Sequence, residues 1–231
     1  MFPNIVSRTA QLWMGLGFLL MTVSPAAARE PSTDIINHVK HAVVIIKTYD
    51  DRGKPLSQGS GFFIESNRII TSLHVIKNAS RAQIKTFNGE TYPVQGIVAL
   101  NEQRDLALLE TSPASPLCTT LMVAEMMPTE GEEIIVISNP QGSSWKVSRG
   151  ITETLWNFQG VGELIRISAS ISPGSSGGPV VNMRGLVVGI AALHTSSADD
   201  LNFAVPGGLV RELLPGPLKP LPGNVAQIAS K

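Results

Sequence analysis

The chain has 231 residues, with 18 Lys and Arg against 18 Asp and Glu, 43% hydrophobic residues, 21 Gly, 16 Pro and one Cys. That length suits one or two domains with a sizeable core, and the balanced charge excludes a global field that would recruit nucleic acid or an anionic membrane surface. Cys118 alone excludes an intrachain disulfide framework and any multi-cysteine zinc or iron–sulfur site, and the apolar content excludes a disordered chain.

Residues Met1 to Ala28 read as an export leader. Arg8 is the only charge there, Leu12 to Val23 forms an apolar run of twelve, and Ala26-Ala27-Ala28 offers small residues to a signal peptidase. Twelve residues fall short of the ~20 needed to span a bilayer, so cleavage after Ala28 is expected, with no stable membrane span left. A cysteine-poor exported protein fits a bacterial periplasm or exterior. Ser32 or Thr33 then caps a short helix through Val39, which leads into the β-rich run Ala42–Ile46. Further strands are expected at Gly59–Ile64, Ile69–Thr71, Arg81–Phe87, Gln95–Leu100, Leu106–Glu110, Glu133–Ser138, Val147–Thr154, Glu163–Ser168, Pro179–Asn182 and Leu186–Leu193. Strands this short, with turn residues every 8–12 positions, indicate an all-β barrel or sandwich and disfavour a doubly wound parallel sheet. Two halves, about 34–110 and 117–214, would each form a small barrel, joined by the connector Thr111–Pro116. Gly208–Leu214 reads as a short terminal helix. The prolines at 215, 217, 220 and 222 predict a loose tail over Pro215–Lys231.

The most informative segment is Ser172-Pro173-Gly174-Ser175-Ser176-Gly177-Gly178-Pro179. A serine among glycines is ordinarily a flexible turn. Here Gly174, two residues before Ser176, lets the backbone bend so that its N–H and that of Ser176 converge on one point. Such a donor pair stabilises the oxyanion of an acyl-transfer intermediate. A serine hydroxyl also needs a base. Of the four histidines, His38 and His41 lie beside an exposed helix end, and His194 follows a strand into a loop. His74, in Thr71-Ser72-Leu73-His74-Val75, directly follows a buried-looking strand. On its own a core histidine is the simpler reading, and pairing with Ser176 reverses it. The base needs an orienting carboxylate. Asp105 stands immediately before the apolar strand Leu106–Leu109, with Glu102 the nearest competitor deeper in a polar turn. The order His, Asp, Ser across a two-barrel pattern is that of the chymotrypsin fold rather than of subtilisin or the α/β-hydrolases. No H-E-x-x-H spacing is present, so neither metal nor cofactor is expected.

The segments Gly59–Ile64, Thr71–Val75, Asp105–Leu109, Pro173–Pro179 and Leu201-Asn-Phe-Ala-Val-Pro206 together resemble the trypsin-like protease domain of the HtrA/Deg family. The resemblance covers roughly Ile36 to Leu214 and implies two six-stranded antiparallel barrels. It implies His74 as general base, Asp105 as its orienter, Ser176 as nucleophile and the Gly174 and Ser176 N–H groups as oxyanion hole. It also implies endopeptidase activity on exposed or unfolded polypeptides, in protein quality control. An idle chymotrypsin-fold module that binds peptides is the alternative. Relatives form trimers through amino-terminal segments, and Ile35–Val43 would suit that, although ordinary helix packing explains it equally well. Family members usually carry a carboxy-terminal PDZ domain, and at that place a Pro-rich tail is expected here instead. Ser175 stands where family members tend to have Asn and digestive relatives Asp. Tyr49–Gln58 is short where some members insert a long loop.

Specificity is read from the pocket segments. Ser170, six residues before Ser176, is not the carboxylate that selects Arg or Lys, so a basic side chain would be uncompensated there. Ser170, Ile171 and Ser172, with Ile190, Ala191 and Ala192 on the following strand, suggest a small apolar pocket and cleavage after Val, Ala or Leu.

Overall fold

The computed structural model describes residues 33–111, 119–139, 145–194, 201–213 and 216–223. The expected leader, the connector after Thr111, Cys118 and the last eight residues lie outside them. Helix α1 spans Thr33–Ala42, three residues beyond the expected end, because Val39 and Ala42 share a buried face and Lys40 and His41 suit a helix C-terminus. The strands follow as β1 (Val43–Tyr49), β2 (Pro55–Glu65), β3 (Arg68–Ser72), β4 (Arg81–Thr86), β5 (Thr91–Asn101) and β6 (Leu106–Thr111). After them come β7 (Glu133–Ser138), β8 (Lys146–Phe158), β9 (Gly162–Ile167), β10 (Pro179–Asn182), β11 (Val187–His194) and β12 (Asn202–Pro206). A four-residue helix α2 (Leu73–Ile76) follows β3, and a 3₁₀ helix, Gly207–Glu212, follows β12.

These strands close into two six-stranded antiparallel barrels, ordered β1-β2-β3-β6-β5-β4 and β10-β11-β12-β9-β8-β7. The long apolar runs have a simple cause: several strands are buried on both faces, so they do not alternate. In β1, Val44 and Ile46 point into the first barrel while Val43 packs between the barrels. In β7, Ile134 and Val136 fill the second barrel while Ile135 and Ile137 meet Phe62, Ile70 and Leu106 of the first. Each such fully buried side chain contributes about 1.5–3 kcal/mol, so the seam between the barrels is as much a core as their interiors.

Strands β2 and β5 each begin four residues before their expected starts, and three further expectations need correction. Strand β8 runs four residues past Thr154, because its pairing with β9 shifts register between Thr152 and Leu155 and the bulge hides the continuation. Strand β12 was recognised only as a motif; its five residues are all buried and complete the second barrel. The expected loose tail is packed over residues 216–223. Lys219 exchanges two backbone hydrogen bonds with Ile97 of β5, both 2.8 Å, Gly216 N–H donates to the Val98 carbonyl and Gly223 N–H to that of Ala79. The donors are the non-proline residues Gly216, Lys219 and Gly223, so missing proline N–H groups cost nothing here. Leu221 enters the first barrel's core beside Ile97 and Leu109, 4% exposed. Leu221→Ala is expected to cost about 2–4 kcal/mol in urea unfolding; an unchanged midpoint would remove this segment from the core.

Candidate active site

The site is assembled by strand pairing. β3 and β6 are antiparallel neighbours with Ser72 opposite Leu106, so residues just after β3 meet those just before β6. His74 lies on α2, directly past β3, and Asp105 immediately precedes β6. Thus 31 residues of sequence separation close to a contact. Asp105 Oδ2 lies 2.5 Å from His74 Nδ1, and Oδ1 accepts the His74 backbone N–H at 2.8 Å. The Asp105 carbonyl accepts Leu73 N–H at 2.9 Å. This grip requires Asp105 at φ +52°, a left-handed conformation that Asp tolerates through its short polar side chain. With both carboxylate oxygens engaged, the ring is oriented and Nε2 is left as the imidazole's other working nitrogen. Glu102, the competing carboxylate, contributes only its carbonyl, which accepts Asp105 N–H at 3.3 Å.

Ser176 sits in a run of turns leading into β10. Ser175 N–H donates to the Ser172 carbonyl and Gly178 N–H to that of Ser175, both at 2.9 Å. Ser60 of β2 holds this loop from the first barrel. Its N–H donates to the Ser176 carbonyl at 2.9 Å and its hydroxyl to the Gly174 carbonyl at 2.7 Å. With both carbonyls taken by Ser60, and Gly174 at φ +94°, neither the Gly174 nor the Ser176 N–H has an acceptor among the described residues. Ser175 faces the other way, buried, its Oγ 2.9 Å from Ser138 Oγ of β7. His38 and His41 lie on α1, with His41 Nδ1 on the Asn37 carbonyl and its ring against Phe87. The His194 backbone pairs with Asn202 at the end of β11.

His74, Asp105 and Ser176 line one cleft of about 500 Å³. Its apolar lining is Phe158, Val161, Leu164, Ile171, Ala192 and Val205, with Ser172 and Arg104 among its polar residues. The cleft thus brings a serine and an imidazole oriented by a carboxylate to one apolar cavity, residue types that acyl transfer uses.

The trypsin-like peptidase domain family matches residues 59–190. The chain belongs to this trypsin-like peptidase family. Among similar sequences, the anti-sigma-I factor RsgI9 of Acetivibrio thermocellus is 33% identical over 82% of this chain. Serine protease HTRA1 of Xenopus laevis is 31% identical over 78%. The chain spans 26% of the first relative's length and 42% of the second's. Among solved structures, the Rv3671c protease from M. tuberculosis in its active form shares the fold with a TM-score of 0.74 at 20% identity, over 82% of this chain and 87% of that one. The serine endoprotease from Yersinia pestis gives a TM-score of 0.68 at 25% identity, over 77% of this chain and 63% of that one.

In this peptidase domain the expected pocket is partly relocated. Ile171, Ser172 and Ala192 line the cleft, whereas Ser170 is exposed outside the lining. Ile190 is buried in the seam between the barrels, and Ala191 faces the opposite way into the second barrel's core. Alternation along β11 explains Ala191, and Ile190 lies deeper on Ala192's side. Arg104, Phe158, Val161 and Leu164 carry no signal in the sequence, and Pro173 and Val205 stand in its motifs without being assigned to the pocket. Phe158 and Val161 lie past the β8 bulge, and Val205 belongs to the unrecognised strand. Among the described residues no group of His, Cys, Asp and Glu could hold a metal ion, and no helix is long and apolar enough to cross a membrane.

Proposed function

We propose that this chain is a serine endopeptidase hydrolysing peptide bonds of exposed or unfolded polypeptides. One observation carries the reading: the Asp105 carboxylate grips both the ring and the backbone of His74 in the cleft that Ser176 also lines. Ser176 Oγ attacks the carbonyl carbon of the scissile bond as its proton passes to His74 Nε2. The Gly174 and Ser176 N–H groups hold the resulting oxyanion. His74 then returns the proton to the departing amine, and water releases the acyl group by the same route. Asp105, held against Nδ1, stabilises the imidazolium that forms. The HtrA likeness supports a role in protein quality control, and the leader at Met1–Ala28 supports action in the periplasm or outside the cell.

The lining supports cleavage after medium aliphatic residues. Its one carboxylate is Asp105, already engaged by His74, and Arg104 adds a positive charge, so a substrate Lys or Arg would be desolvated without compensation. The test is labelling by a fluorophosphonate probe followed by hydrolysis of Val- and Arg-ended peptide substrates. Labelling at Ser176 with faster turnover of the Val-ended substrate is expected. Faster turnover of the Arg-ended one would overturn the pocket, and absence of label would overturn the enzyme. The likeness to an anti-sigma factor favours a second reading, a peptidase-fold module that binds peptide without cutting it; it is distinguished by peptide binding without label.

A further inference from the structure

Arg104 stands one residue before Asp105 in the turn between β5 and β6, yet its side chain crosses to the other barrel. Its backbone N–H donates to Asn101 Oδ1 at 3.0 Å, which fixes the turn at its root. Its Nη1 donates to the Val161 carbonyl at 2.8 Å and to the Glu163 carbonyl at 3.3 Å, on the turn between β8 and β9. Between those carbonyls lies Gly162, φ +91°, and the guanidinium fills the space where any side chain at 162 would begin. Phe158, Val161 and Leu164 around this turn are wall of the cleft, and Arg104 lines it too. One side chain therefore ties the loop that carries Asp105 to the wall a substrate would lie against.

We propose that Arg104 is a positioning residue that sets the width of the cleft between the His74–Asp105 pair and the β8–β9 turn. It thereby selects substrates by the size of the apolar side chain seated against Phe158 and Val161. The proposal rests on the hydrolytic reading of the cleft. Hydrogen bonds from a guanidinium are charge-assisted and directionally fixed, so two of them define where the turn sits as well as holding it. The turn has little else at its tip: Gln159 and Gly160 are exposed, and Val161 N–H closes on the Phe158 carbonyl at 3.1 Å. Phe158 is held from behind by the Phe203 and Trp156 rings, whereas the turn at 159–161 has no anchor across the cleft besides this guanidinium among the described contacts. Without it the wall yields to larger side chains and holds smaller ones less well.

The experiment compares Arg104→Ala and Arg104→Lys in the full chain, on peptides differing only in an Ala, Leu or Phe near the cleaved bond. The reading is the ratio of kcat/KM between small and large substrates, in which a uniform loss of active protein cancels. Arg104→Ala is expected to compress that ratio about tenfold. Arg104→Lys, which keeps one donor and the charge, should recover part of it. Gly162→Ala should act in the same direction and add little on top of Arg104→Ala, because both disturb one contact. An unchanged ratio in Arg104→Ala, or full additivity with Gly162→Ala, would overturn the proposal. Deuterium exchange across residues 158–164 reads the clamp without needing turnover: it should rise in Arg104→Ala, and unchanged exchange would overturn the clamp. A wild-type chain that takes no fluorophosphonate label counts instead against the hydrolytic reading.

Discussion

Ser176→Ala is expected to lower peptide hydrolysis at least about 10⁴-fold while the protein unfolds at an unchanged denaturant concentration. The two halves of that expectation come from different atoms of one residue. Ser176 lines the cleft and its hydroxyl makes no hydrogen bond to another described residue, so its removal orphans no buried polar group. The backbone, by contrast, is structural, since the Ser176 carbonyl accepts Ser60 N–H and joins the barrels, and alanine preserves that bond. The Gly174 and Ser176 donors also survive, so any remaining turnover measures what they supply alone. Purified variant and wild type would be compared on one Val-ended peptide, with urea unfolding in parallel. Hydrolysis near the wild-type rate would remove Ser176 from the role of nucleophile.

What could be read from the sequence, and what could not, follows from how local each signal is. The strands at Glu133–Ser138 and Pro179–Asn182 have the expected bounds, since each is an apolar run closed by turn residues at both ends. His74 and Asp105 were legible as candidates for a related reason: one ends a strand and the other begins one. Only the antiparallel pairing of β3 with β6 turns those positions into a contact. The left-handed backbone at Asp105, which lets its carboxylate reach the His74 ring and backbone together, left no trace in residue types. The cleft walls were hidden by irregularity. Phe158 lies beyond a bulge that breaks the two-residue period of β8, and Pro93 masked the start of β5, where the ladder likewise shifts register. Leu221 was hidden by its neighbours, because prolines that forbid a helix say nothing against an extended segment laid along β5. Arg104 reads as one more surface cation, and only the third dimension shows the carbonyls it reaches.

Gly177→Ala should damage stability and catalysis together, and more than either its size or its exposure suggests. Gly177 is at φ +84°, and a Cβ there would sit well inside contact distance of the Ser60 carbonyl, the Thr71 hydroxyl and Ser72 N. None of those can move freely. The Ser60 carbonyl accepts the Thr71 hydroxyl at 2.7 Å, Ser60 N–H holds the Ser176 carbonyl, and Gly177 N–H is bound to the Ala191 carbonyl at 2.7 Å. The added methyl must therefore push the whole Ser176 loop away from β2 and β3. Because Ser72 leads directly into the turn bearing His74, the same push moves Ser176 relative to the imidazole across the cleft. Overpacking of this kind costs about 1–3 kcal/mol, with about 1 kcal/mol more from the left-handed backbone. A shift near 1 Å at the reacting atoms costs about 10²-fold in rate. Gly131→Ala separates the two contributions, since Gly131 has nearly the same φ, +81°, and nothing within 4 Å of the new methyl. It should lose the backbone share of stability and keep full turnover. If Gly177→Ala hydrolysed the Val-ended peptide as well as Gly131→Ala does, the close approach of the Ser176 loop to the first barrel would not be what holds the hydroxyl in register with His74.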